Sequence, residues 1–99
     1  MRIKKGVGTA LGAVAILIGA AFPALAAVEY PGGGTWNYGT NRTEVWSNYH
    51  HPSANHRSSV INGYGEYKSS GCKARGVWSY ASLRADPNRV DHAYWSNSC

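Results

Sequence analysis

The chain has 99 residues, with ten Lys and Arg against five Asp and Glu and a formal net charge of +5. Its length allows one small domain near the lower edge of independent stability. The charge concentrates at the start, and no block of like charge follows it. A polybasic arm and a nucleic-acid footprint are therefore excluded.

Arg2, Lys4 and Lys5 form a positive head, and an apolar run from Val7 to Phe22 follows. Pro23 ends the run, and Ala24-Leu25-Ala26 supplies a small-x-small cleavage pattern. These features predict a secretory signal peptide over residues 1–26, cut between Ala26 and Ala27. The run is shorter than the roughly 20 apolar residues that a spanning helix needs. The protein is thus expected to be secreted. Cleavage leaves 73 residues, with seven basic against five acidic side chains and a net charge of only +2.

That remainder carries four Trp and seven Tyr, while Leu83 is its only Leu and Ile61 its only Ile. So few long aliphatic residues cannot build a helical bundle. Trp, Tyr and Val suit pleated, half-buried surfaces. Residues 27–34 hold Pro31 and the run Gly32-Gly33-Gly34, and read as a flexible leader. A single β domain over 35–99 should follow.

Strands are expected over Thr35 to Tyr38, Thr43 to His50, His56 to Ile61, Tyr64 to Lys68, Lys73 to Ser82 and His92 to Ser96. Pro52 closes the second, since proline cannot donate to a ladder. Asn62-Gly63 is a hairpin signal between the third and fourth. In the second strand Val45, Ser47 and Tyr49 alternate with Glu44, Trp46 and Asn48, and neither set is cleanly apolar. The fold class is all-β: a small antiparallel β-sandwich of about six short strands. Cys72 and Cys99 form the even cysteine count of a secreted chain, which argues for a disulfide tying the C-terminus to the middle of the domain.

The chemistry of catalysis is not legible. No Ser sits in a nucleophile elbow, and no carboxylates pair as an acid and base. The chain reads as a non-enzyme with no cofactor. His50, His51, His56 and His92 lack the cysteinate or carboxylate company of a zinc site, so no metal is expected. What does recur is aromatic rings beside Arg and His, in Tyr49-His50-His51 and Arg75-Gly76-Val77-Trp78. Rings cover the apolar faces of sugars, and Arg forks to phosphate oxygens.

The segments Gly34-Thr35-Trp36 with Gly39, Ser47-Asn48-Tyr49-His50-His51, Ala74-Arg75-Gly76-Val77-Trp78 and Tyr94-Trp95 are similar to the lactococcin 972 family of secreted bacteriocins. The likeness runs from Gly34 to Asn97, and Cys72 and Cys99 are an addition to the family's pattern. The resemblance implies a small antiparallel β-sandwich that acts as a homodimer. It also implies binding of the cell-wall precursor lipid II and a block of septum formation, without pores. Lipid II joins a pyrophosphate to two amino sugars and a peptide, which suits rings beside Arg and His. Trp36, Tyr38, Tyr49, His50, Arg75 and Trp78 are the ligand-binding residues expected on that chemistry, with Trp78 the one most expected to fall in the core. The competing reading is a non-toxic secreted module for wall or polysaccharide binding. No long apolar or amphipathic segment follows residue 26, so membrane insertion is not expected.

Overall fold

The computed structural model describes residues 25–99, and the expected signal peptide falls almost wholly outside them. Seven strands form: β1 Leu25–Glu29, β2 Thr35–Thr40, β3 Glu44–His50, β4 Arg57–Ile61, β5 Tyr67–Ser69, β6 Trp78–Arg84 and β7 His92–Ser96. They make two antiparallel sheets, ordered β1-β2-β3-β6 and β5-β4-β7. The fold is the all-β sandwich that the composition implies.

Period-two alternation decides what lies between the sheets. Trp36, Tyr38, Val45, Tyr49 and Ala81 enter from the larger sheet, and Val60, Ala93 and Trp95 from the smaller. Small inward residues, Ser47, Ser58, Ser79, Ala81 and Ala93, leave room for the large rings of Trp36, Tyr49 and Trp95. This pairing of large with small is how so few aliphatic side chains fill a dense interior.

One buried hydroxyl, Ser47, ties the layers together, and a second, Ser79, braces the larger sheet internally. The Trp36 indole N–H donates to Ser47 Oγ at 2.9 Å, and Ser47 Oγ donates to the Tyr94 carbonyl of the opposite sheet at 2.6 Å. Ser79 Oγ donates to the Tyr49 carbonyl at 2.8 Å. The disulfide forms as the cysteine count predicts: Cys72 and Cys99 are bonded, with Cα atoms 5.8 Å apart.

Three segments depart from the sequence reading. Ala27–Glu29, expected in a flexible leader, lies in β1, where Ala27 pairs with Tyr38 and Glu29 with Trp36. Pro31–Gly33 forms a 3-10 turn. It is pinned from afar, because Gly32 O accepts from His51 Nε2 at 2.9 Å and from Asn97 Nδ2 at 3.0 Å, and Tyr49 OH donates to Pro31 O at 2.8 Å. The cleavage expected between Ala26 and Ala27 would fall inside β1 and remove the pairs Leu25–Thr40 and Ala26–Gly39.

Of residues 73–77, expected as the first half of a strand, Lys73 keeps an isolated antiparallel bridge to His56 and 74–77 form a turn. Gly76 sits at φ 82°, outside regular extended backbone, and its N–H donates to His51 O at 2.8 Å. Asn62-Gly63 does open the β4–β5 connection, but the loop is wider than two residues. The buried Asn62 side chain accepts from the N–H groups of Tyr64 and Glu66, at 3.1 and 2.9 Å. That delays β5 until Tyr67.

Candidate functional site

The alternation that buries Trp36 and Tyr49 turns their neighbours outward. On the outer face of the larger sheet lie Asn37, Trp46, Asn48, His50, Trp78 and Tyr80, all part-exposed or exposed. Antiparallel register sets Asn48 opposite Tyr80 and His50 opposite Trp78. The His50 and Trp78 rings are 5.3 Å apart between centroids, and Trp78 and Tyr80 stack at 6.2 Å with 23° between their planes.

Trp46 is held in a defined pose. Its indole N–H donates to Asn37 Oδ1 at 2.9 Å. Gly39 lies beneath the ring, so close that a methyl there would meet it at 2.5 Å. The missing side chain at Gly39 is therefore what lets the indole cross β2. Beside Trp46 is a cleft of about 650 Å³, lined by Asn41, Glu44, Trp46, Asn48, Lys68 and Tyr80. A smaller hollow of about 260 Å³ lies on the outer face of the other sheet, among Arg57, Ser59, Ile61, Tyr67 and Tyr94.

The residues expected to bind ligand divide into two groups. Trp36, Tyr38 and Tyr49 are 0, 3 and 0% exposed and belong to the core, where no ligand reaches them. Burial pushes the Tyr49 hydroxyl up to about 12. Burial and the hydrogen-bonded Glu29 carboxylate raise Tyr38 to about 12 as well. His50 and Trp78 lie together on the outer face, and Arg75 is exposed in the 74–77 turn that leads into Trp78. Trp78, the ligand-binding candidate most expected to fall in the core, lies on the outer face, and Trp36, Tyr38 and Tyr49 are the candidates that fall inside.

Trp46, Tyr80, Asn37 and Asn48 were missed. Their signal was present in part: Trp46 shares a face with Glu44 and Asn48, company that belongs in solvent rather than in a core.

The histidines have backbone work. His51 Nδ1 accepts from the N–H groups of Ser53 and Ala54 at 3.1 and 2.9 Å, so Nε2 carries the proton donated to Gly32 O. His56 is fully buried, with Nδ1 2.9 Å from Ala54 O and Nε2 2.6 Å from Val77 O. The His56 ring, at Val77 O, and the His51 backbone carbonyl, which accepts from Gly76 N–H, fix the turn that carries Arg75. Among the described residues no group of three metal-ligating side chains converges.

At the far end of β6, Arg84 and Glu66 pair through two contacts of 3.0 and 3.1 Å. Hydrogen bonds from Arg84 and then Asn62 hold the Glu66 carboxyl below its ordinary range. Arg84 also lies 4.2 Å above the Tyr64 ring. Arg75 and Lys68, by contrast, have no ion-pair partner among the described residues.

The fold and this face together define a small disulfide-closed sandwich with its spare rings displayed on one sheet. A family model described as the lactococcin 972 bacteriocins matches residues 32–95, a span that holds the entire face. The chain belongs to that bacteriocin family and is an antibacterial protein. Neither the curated proteins nor the solved structures gave a match. The matched segment ends short of Cys99, so the disulfide reaches outside it.

Proposed function

We propose that the protein is secreted after cleavage between Ala26 and Ala27, binds lipid II on the outer face of its four-stranded sheet, and so blocks septum and wall formation without catalysis or pores. The observation that carries this reading is the cluster of His50, Trp78 and Tyr80 beside the exposed Arg75 turn. Trp78 and Tyr80 offer ring faces to the sugars. Arg75, free of ion-pair partners among the described residues, offers a fork of donors to the pyrophosphate. His50 adds a polar edge to Trp78. The turn is braced by His51, His56 and the Cys72–Cys99 bond, so Arg75 meets its ligand from a fixed platform. Binding as a homodimer, as the family resemblance implies, would double that platform.

Among the described residues no helix is long and apolar enough to cross a membrane. The test is growth inhibition of related bacteria by the oxidised protein, with and without added lipid II. Relief by lipid II supports the reading. Prompt dye release from vesicles lacking lipid II contradicts it. A protein that inhibits no strain in a broad panel but binds cell walls would be a non-toxic wall-binding module.

A further inference from the structure

We infer that the cleft at Trp46 binds a polymerised wall glycan, a linear chain of N-acetylated amino sugars in which every second ring bears a carboxyl group. The inference rests on the precursor-binding reading of the same face and extends it to a second ligand form.

Length is the first argument. Trp46 and His50 are four positions apart on β3, about 14 Å at the rise of a strand. Trp78 lies across from His50, so the ringed track from Trp78 through Tyr80 to Trp46 is longer than one disaccharide. A lipid-linked precursor seated at Arg75 and Trp78 would leave the Trp46 end empty, whereas a polymer would continue into it.

Preorganisation is the second. Trp46 is fixed by its hydrogen bond to Asn37 and by the bare Gly39 beneath it. A core does not account for this arrangement, because the ring lies on the outer face and is part-exposed. An indole held flat on a sheet offers a sugar its face with little ordering cost.

The lining chemistry is the third. Asn48 brings an amide donor and acceptor to the cleft and Asn41 its amide donors, its Oδ1 being taken by Thr43 and Glu44, and these match hydroxyl and acetamido groups. Glu44 and Lys68 are exposed there with no ion-pair partner among the described residues. Lys68 can meet a carboxylate on alternate rings, and Glu44 can accept from hydroxyls. A neutral polysaccharide would leave the Lys68 charge unused.

The experiment uses insoluble wall glycan stripped of its stem peptides, and separately lipid II in vesicles. The oxidised, secreted protein should sediment with the glycan. Trp46→Ala and Tyr80→Ala should each weaken that binding about tenfold, the loss of one ring contact. Trp46→Ala should leave lipid II binding within about twofold. Near-ultraviolet circular dichroism and the denaturation midpoint report folding, and Tyr80, 63% exposed, can be removed without opening the core. Glycan binding unchanged in both variants overturns the inference, as does failure of the unmodified protein to bind glycan. Binding to glycan without binding to lipid II would instead overturn the precursor reading and leave this one standing.

Discussion

Ser47 and Ser58 are matched residues whose replacement by alanine should have opposite consequences. Both are inward-facing serines, 0 and 1% exposed. Ser47 Oγ accepts from the Trp36 indole and donates to the Tyr94 carbonyl, joining the sheets. Ser58 Oγ has no hydrogen-bond partner among the described residues. Ser47→Ala leaves a buried indole N–H unpaired, at about 1–3 kcal/mol, and removes one donor from a carbonyl that keeps its second lone pair, at about 0.5–1 kcal/mol. The expected loss is about 2–3 kcal/mol. With a urea m-value of about 1 kcal/mol/M for a domain this small, the midpoint should fall by about 2–3 M. Ser58→Ala removes an unsatisfied buried hydroxyl and should be neutral or stabilising, within about 1 kcal/mol. Equilibrium urea unfolding followed by tryptophan fluorescence measures both. A loss below about 0.5 kcal/mol for Ser47→Ala, or equal losses for the two, would refute this account of the sheet junction.

Other consequences are as direct. Replacing Cys72 and Cys99 by serine opens a loop with a sequence separation of 27 and should cost about 3.5 kcal/mol in the chain-entropy model, read from the shift in urea midpoint. Tyr38 and Tyr49 have folded values of about 12 against an ordinary 10.0, so their stabilising effect is complete below pH 10 and is lost as pH rises toward 12. Titration at 295 nm should show Tyr38 and Tyr49 ionising late, together with unfolding; their ionisation near pH 10 in a folded protein would contradict their burial. Trp36→Ala should cost about 3–5 kcal/mol and threaten folding, whereas Trp78→Ala should fold with less than about 1.5 kcal/mol lost and much weaker growth inhibition. The reverse pattern would mean that the two faces are exchanged.

The fold class was legible because composition leaves so few ways to build this core: with one Leu and one Ile after residue 26, the rings had to pack between sheets. Cysteine count was enough for the disulfide. Face assignment was not legible in β3, since each face pairs a ring with a polar residue, and only the structure shows Ser47 as an internal tie rather than a surface hydroxyl. The face of Trp78 was not legible for a related reason: a ring candidate for ligand binding is equally a candidate for the core, and its outward direction is set by register with His50. Residues 27–34 were read as flexible from Pro31 and the glycines, yet the partners that pin them, His51 and Asn97, lie far along the chain. Local composition cannot report such contacts. The candidate site was half legible: His50, Arg75 and Trp78 fall on or beside the outer face, while Trp46 needed Gly39 and Asn37 on a neighbouring strand to become a platform.

On the function proposed above, this bacteriocin holds lipid II on the outer face of the larger sheet. The most direct measurement is growth inhibition by the oxidised protein and its folded Trp78→Ala and Arg75→Ala variants, each titrated with lipid II. Lipid II should relieve the inhibition, and potency should be at least about tenfold lower in both variants. Full inhibition in excess lipid II, or undiminished potency in both variants, would contradict it.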